Sequence, residues 1–401
     1  MNDPCLPLAG VRVLELAQVM AGPVTGLMLA DLGAEVIKIE KLPHGDDTRS
    51  FTSSGGNDVP AAFQILNRGK KSVAIDLKHP QGLQTLKRLV RQADVLTENF
   101  RPGTMEKLGI GPEVLLAINP RMILCSITGY GRKGPLADRG GFDLILQAYA
   151  GLISVTGEAG RAPVKPGVSI ADVNAGILAA FAVLAAYIQV LRTGKGQRVE
   201  TSLLQASMQQ LYWYAALFFS TGQNPGRLGT AHPIIAPYQT FRCSDGELAI
   251  GGANEANWQR LTEVLGHPEW RDDERFRSPR LRLENREALA ACLNAVLEAD
   301  TRAFWEDRLS RAGVPAGPVQ TVGEALSHPQ SAAMDMVIEV ATPEGGKTRM
   351  IGLPLHFDGR SRPAVTAAPR FGADTTTVLL DQGWTREELD HLIGIGAVRQ
   401  G

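Results

Sequence analysis

Apolar residues over the first 130 positions follow two alternating rhythms. VRVLEL (11–16), EVIKIE (35–40), KSVAIDL (71–77), DVLTENF (94–100) and RMILCSIT (121–128) are short apolar runs, EVIKIE alternating residue by residue, and they predict strands. Between them VTGLMLADLGA (24–34), LQTLKRLVRQA (83–93) and PEVLLAI (112–118) place apolar residues three and four apart, as helices do. Strands separated by helices of this length predict an α/β fold with a mostly parallel sheet covered on both faces. In such a sheet the loops AQVMAGP (17–23), ENFRPG (98–103) and ITGYGRKGPLADRGGFD (127–143) gather on one side, where ligands bind. Their Gly and Pro suit anion-binding loops, and they equally suit plain turns.

Further on, GQRVETS (196–202) reads as a strand edge and LLQASMQQLYWYAALFFS (203–220) as one long helix. From about residue 223 turn signals multiply, a hairpin is expected around SDG (244–246), and helical segments follow to about residue 325. These features predict a smaller α+β domain. The segments 337–357 and 385–398 read as strand and then helix, returning to the first domain. The expected division is a large domain of residues 1–222 and 331–401 and a small domain of residues 223–330.

The longest apolar run, residues 175–188, is shorter than the ~20 residues that span a bilayer, and it reads as a buried helix. One carboxylate, Asp172, stands at its mouth. A buried ionised Asp needs a partner. Asp172 is either the helix N-cap, accepting the first free N–H groups, or a nucleophile held at the helix start.

At 401 residues the chain has room for two domains. Lys and Arg number 41 against 42 Asp and Glu, so there is no basic field to attract nucleic acid or an anionic membrane, and neither partner is expected. The first ten residues, MNDPCLPLAG, lack a cationic segment followed by an apolar core. Cys5, Cys125, Cys243 and Cys292 are scattered without metal-type spacing. The expectation is a cytoplasmic protein with reduced thiols and no metal.

Glu40 closes the second strand where a ribose-binding acid would sit, but AQVMAGP has no GxGxxG, which argues against NAD. No GxxxxGK[ST], GxSxG or HExxH occurs either. His44, His79, His232 and His391 are dispersed and form no ligand-like pair. Lys41, Arg68, Lys70, Lys71, Arg101, Lys107, Arg132, Lys133 and Arg139 sit at the expected loop edge. They either surround an adenosine phosphate and a diphosphate or form a solvated rim.

GVRVLELAQVMAGPVTGLMLADLGAEVIKIEK, NRGKKSVAIDLK, ADVLTENFRPG, CSITGYGRKGP, TGKGQRVETSLL and AGVPAGPV, in this order along nearly the whole chain, resemble the class III CoA-transferases. That family includes formyl-CoA, carnitine and glutarate CoA-transferases and alpha-methylacyl-CoA racemase. The resemblance implies a Rossmann-like large domain with a parallel sheet, built from both chain ends, a smaller inserted α/β domain, and an interlocked-ring homodimer. No tightly bound cofactor is implied; coenzyme A enters as acyl-CoA substrate, with a carboxylic acid as second substrate.

Carried over by position, the CoA contacts would be Val19, Met20, Ala21, Lys41, Leu66, Asn67, Arg68, Gly69, Asn99, Phe100, Arg101, Lys107, Arg139, Gly140, Gly141, Phe142 and Asp143. Asp172 falls on the nucleophilic aspartate. In the implied chemistry its carboxylate attacks the donor thioester to give a mixed anhydride and CoA thiolate, which then forms an aspartyl-CoA thioester. Backbone N–H groups at the helix start and in the Gly251-Gly252 loop would stabilise the oxyanions. The loop has fewer glycines than the richest members of the family.

Racemases of the family keep a histidine where this chain has Phe142, and a phenyl ring accepts no proton. Racemase chemistry is therefore the alternative reading, and a CoA-binding protein without turnover a more distant one. RLGTAHPIIAPYQTF (227–241) resembles transferases of short dicarboxylates such as glutarate and succinate. Arg227, His232 and Tyr238 are the candidates to meet a second carboxylate. Met20 replaces the glutamine of the oxalate-using branch, and Ala373-Asp374 replaces a Gly-Glu-His run of relatives.

Overall fold

The computed structural model describes residues 6–51, 59–342, 345–359 and 366–401. Its strands are Arg12–Glu15 (β1), Glu35–Glu40 (β2), Lys71–Ile75 (β3), Val95–Glu98 (β4), Ile123–Thr128 (β5), Arg198–Ser202 (β6), Tyr238–Cys243 (β7), Gly246–Gly251 (β8), Ala316–Pro318 (β9), Val337–Ala341 (β10), Lys347–Ile351 (β11) and Val398–Arg399 (β12). The chain forms two compact units: Met1–Ala150 with Gly167–Gln210 and Pro329–Gly401, and Gly151–Pro166 with Leu211–His328.

The larger unit holds a seven-stranded sheet in the order β12-β3-β2-β1-β4-β5-β6. Its strand pairs are parallel except for β12, which runs antiparallel to β3. Alternate residues of the strands feed opposite faces, as the pleat requires. Leu14, Leu16, Ile37, Ile39, Val73 and Ile75 pack with Leu86, Leu89, Leu379 and Leu389. Val13, Val36, Val95, Ile123 and Ile127 pack instead with Leu29, Ala175, Ala179, Val183 and Leu203. Covered faces on both sides explain why these strands read as nearly continuous apolar runs.

Helix Ala21–Asp31 crosses helix Ile170–Thr193 at Gly176, where a Cβ would lie 2.6 Å from the Ala21 carbonyl oxygen and 2.7 Å from Val24 Cβ. The 24-residue helix Ile170–Thr193 is long and apolar enough, by length and composition, to cross a membrane. It is not buried all round as expected: Ala171, Ala175, Ala179, Val183, Ala186 and Val190 make one buried stripe, while Phe181 and Leu191 are exposed.

Three further features depart from the sequence reading. The long helix expected over 203–220 is two, Leu203–Gln209 and Tyr212–Thr221, because the Gln210 N–H turns back to the Ser207 carbonyl in an i→i−3 bond and the ladder lapses. Strands β10 and β11 form their own antiparallel pair. The final helix stops at Gly394, and Gly396, at φ +72°, turns the chain into β12.

In the smaller unit, β7 and β8 form the hairpin around Ser244-Asp245, and β9 pairs antiparallel with β8. Phe241, Leu248, Trp258, Leu293 and Leu309 are its buried core.

Candidate active site

The strand order reverses between β1 and β4, and ligands of such sheets bind beyond the strand C-termini at that point. A cleft of about 500 Å³ opens there. The loop after β1 supplies Gln18, Val19, Met20 and Ala21; the loop after β4 supplies Asn99, Phe100, Arg101 and Pro102. The end of β5 gives Ile127, Thr128 and Gly129; Leu203 follows β6; Asp47, Gly140, Gly141, Phe142 and Asp172 complete the wall. Among the described residues, Arg101 is the cation in the wall and Asp47 and Asp172 are its acids.

Asp172 lies in the first turn of helix Ile170–Thr193, two positions inside its start, so it is not the N-cap. The cap comes from elsewhere. Asp143 Oδ1 accepts the backbone N–H of Ala171 at 2.9 Å and of Asp172 at 3.3 Å, and Gln147 Nε2 donates to Asp143 Oδ2 at 2.6 Å. The Ile170 and Val173 N–H groups donate to the Val168 and Ser169 carbonyls. The first four N–H groups of this helix are thus engaged, and none is free to meet an oxyanion as the sequence reading expected. Among the described residues, no donor reaches the Asp172 carboxylate. Burial, and second the Asp143 charge, push its pKa up to about 7.

Of the residues singled out for CoA, the structure gathers Val19, Met20, Ala21, Asn99, Phe100, Arg101, Gly140, Gly141 and Phe142 around this cleft. Lys41 is exposed and pairs with the lining Asp47. Leu66, Asn67 and Arg68 are buried, with Arg68 paired to buried Asp31 and Asn67 accepting from Lys70. Gly69, at φ +72°, donates its N–H to the Thr366 carbonyl at 3.0 Å. Lys107 and Arg139 are exposed outside the cleft wall, and Asp143 stands behind it as the cap. Lys71 and Arg132 pair with Glu35 and Glu98, so the basic stretch is not a uniform rim.

The other candidates belong to the smaller unit. His232 and Tyr238 meet ring to ring at 5.3 Å, and Arg227 Nη2 donates to the Arg161 carbonyl at 2.7 Å. The Gly251 N–H donates to the Pro315 carbonyl at 2.9 Å, and a Cβ on Gly252 would lie 2.8 Å from Pro237 Cγ. Among the described residues no group of three or more His, Cys, Asp or Glu could hold a metal ion.

Sequence reasoning did not name Gln18, Asp47, Pro102, Ile127, Thr128, Gly129 or Leu203 as lining residues. Most lie in the Gly- and Pro-rich loops singled out above, which was signal enough; Asp47 had none, since its place follows from the irregular turn after β2.

The model of CoA-transferase family III matches residues 8–375. Succinyl-CoA:glutarate CoA-transferase of Mus musculus is 37% identical over 377 residues, covering 94% of this chain and 86% of the relative. Succinate–glutarate CoA-transferase of Agrobacterium fabrum is 36% identical over 385 residues, covering 94% of this chain and 95% of the relative. A CaiB/BaiF family protein from Brucella suis, solved by crystallography, superposes with a TM-score of 0.82 at 38% identity, covering 94% of this chain and 99% of the other. The ordered motifs, the parallel sheet with its cleft at the β1/β4 reversal and these matches agree: the chain belongs to CoA-transferase family III.

Proposed function

We propose that this enzyme moves CoA from succinyl-CoA to a short dicarboxylate such as glutarate, with Asp172 as the covalent nucleophile. One observation carries the assignment of the nucleophile: Asp172 borders the cleft while Asp143 takes the N–H groups of Ala171 and Asp172, so the Asp172 oxygens are left to a substrate carbonyl. The substrate pair rests on the two glutarate-named relatives.

Asp172 attacks the thioester carbonyl, the C–S bond breaks, and CoA leaves as thiolate from a mixed anhydride. The thiolate attacks the aspartyl carbonyl, releasing succinate and forming aspartyl-CoA thioester. The acceptor carboxylate attacks that thioester and expels the thiolate, which then attacks the acceptor's acyl carbonyl. The products are the new acyl-CoA and the free Asp172 carboxylate. No water enters the cycle.

Arg101, exposed at the cleft, suits the CoA phosphates, with Lys41, Lys107 and Arg139 as outlying cations. Arg227, His232 and Tyr238 are the proposed readers of the second carboxylate, and Gly251-Gly252 the smaller unit's candidate oxyanion loop. Phe142 borders the cleft where a racemase of the family would need a base, which disfavours proton abstraction. Exposed Phe142, Tyr149, Phe181 and Leu191 support an apolar interface between two copies, and we assign the chain to a cytoplasmic, interlocked homodimer.

The test is peptide mass after mixing the protein with succinyl-CoA. A CoA adduct less one water on the Asp172 peptide, removed by hydroxylamine and lost in Asp172→Asn, is expected. No adduct with any acyl-CoA, together with exchange of the α-proton of a 2-methylacyl-CoA into heavy water, would overturn the reading.

A further inference from the structure

Val19 in the cleft wall has φ +65°, a left-handed backbone that a β-branched residue adopts only when its surroundings impose it. Four side chains hold this loop. Lys38 Nζ donates to the Ala17 carbonyl at 2.8 Å. Asn99 brackets Gln18, accepting its N–H at 2.9 Å and donating to its carbonyl at 2.8 Å. Asp46 accepts the Val19 N–H, 3.2 Å from each carboxylate oxygen. Lys70 Nζ donates to the Pro23 carbonyl at 2.9 Å.

Lys38, Asp46 and Lys70 form one buried ionic cluster with Glu15. Lys38 Nζ lies 2.8 Å from both Glu15 and Asp46, Lys70 Nζ lies 2.8 Å from Glu15, and none of the four side chains is more than 1% exposed. The neighbouring backbone is fitted to it, since a Cβ on Gly26 would lie 1.8 Å from Glu15 Oε2. Two cations and two anions in the core are a poor source of stability compared with apolar packing. Their geometry has another use. Asp46 also caps the short helix Asp47–Ser50 through the Thr48 N–H at 2.9 Å, so a single carboxylate places both Val19 and Asp47 in the cleft wall.

We infer that Asp46 is a positioning residue for CoA binding: it is not among the residues lining the cleft, and it holds the left-handed turn at Val19 on which the cleft wall depends. This rests on the reading that the 17–23 loop grips CoA.

The experiment compares full-length wild type, Asp46→Asn and Asp46→Asn with Val19→Gly by calorimetric titration with coenzyme A and by amide hydrogen exchange. Asp46→Asn turns one of the two oxygens that face the Val19 N–H into a donor set against Lys38 Nζ, so it should weaken CoA binding about tenfold, the scale of one strained turn, and raise exchange selectively in residues 16–23. Val19→Gly should recover much of that loss, because glycine takes positive φ unaided. A purely structural role would lower Tm without such rescue. If Asp46→Asn does not fold, Lys38→Gln with Asp46→Asn takes its place, since it leaves no lone charge in this pair and keeps an N–H donor for the Ala17 carbonyl.

An unchanged Kd, a loss that Val19→Gly does not relieve, or failure of both charge variants to fold overturns the inference. A wild-type loop that gains no protection from CoA removes the underlying reading, and the inference with it; that result is seen before any variant is made.

Discussion

Asp143 Oδ1 accepts the N–H of Asp172 at 3.3 Å, so one carboxylate caps the helix whose first turn carries the other. The arrangement separates two roles that local sequence assigns to a single Asp. Asp143 takes the Ala171 and Asp172 N–H groups at the helix terminus, and among the described residues no donor reaches the Asp172 carboxylate at the cleft. Like charges this close resist joint ionisation, which adds to the effect of burial in lifting Asp172 to about 7.

Thioester capture needs the ionised form, so its rate under kcat/KM conditions should rise with pH through about 7. Asp143→Asn keeps an acceptor for the Ala171 N–H and loses the charge. Its midpoint should therefore move to lower pH. Adduct formation followed by quenched mass spectrometry across pH 5–9 checks this, and coincident profiles would remove Asp143 as a cause of the shift.

The same raised carboxyl has a stability signature. The folded chain retains a proton that the unfolded chain loses near 3.8, so the linked stability is fully present below that pH and is lost as pH rises through about 7. Asp172→Asn carries no such loss. The Tm of the variant relative to wild type should grow between pH 5 and pH 8, and a constant difference would contradict the raised pKa.

Gly176 fixes how closely the first and longest helices of the larger unit approach. In Gly176→Ala the new methyl must push back the Ala21 carbonyl and Val24, an overpacking cost of roughly 1–3 kcal/mol against a gain of about 1 kcal/mol in helix propensity. Net destabilisation in urea is expected. Because Ala21 borders the cleft, KM for the acyl-CoA should rise as well. Stability at or above wild type would mean that the helices part freely.

Legibility in the sequence followed the range of the forces involved. Strand β2 and the helix Pro112–Ile118 lie on the residues that the apolar pattern marks, because alternation, Pro and Gly are local signals. The break at residues 210–211 contains neither Gly nor Pro and coincides with the passage from one compact unit to the other, a tertiary event. Two-residue β12 is too short to show a period and exists through its pairing with β3. In the cleft wall, the 17–23, 98–103 and 127–143 loops and Asp172 occupy positions that motif and resemblance marked, a match of place and not of role. The hold of Asp46 on Val19, 27 residues away, follows no spacing rule.

Asp374, which had no account in the sequence, is explained by the same kind of distant contact. Its carboxylate accepts the Ser72 N–H at 2.8 Å, and its own N–H donates to the Ser72 carbonyl at 3.0 Å, tying the returning segment to β3. Asp374→Ala leaves a part-buried donor unpaired and should cost about 1–3 kcal/mol in urea unfolding, with KM little changed. A shift in KM at unchanged stability would point instead to a role in binding.

Arg68 and Arg101, both singled out for CoA, should part company when each is replaced by Met. The Arg68 guanidinium is 3% exposed and engaged by Asp31, itself 2% exposed on the side chain. Removing it strands a buried carboxylate, an expected loss of about 3–5 kcal/mol. Burial already raises the Asp31 pKa despite Arg68, so protonation would relieve part of that cost, and the loss should shrink as pH falls. Arg101 is exposed at the cleft, so Arg101→Met should leave Tm near wild type and weaken CoA by about tenfold, an effect that diminishes as salt rises. Equal Tm losses, or a CoA affinity indifferent to Arg101, would undo this division between a cation that holds the fold and one that faces the ligand.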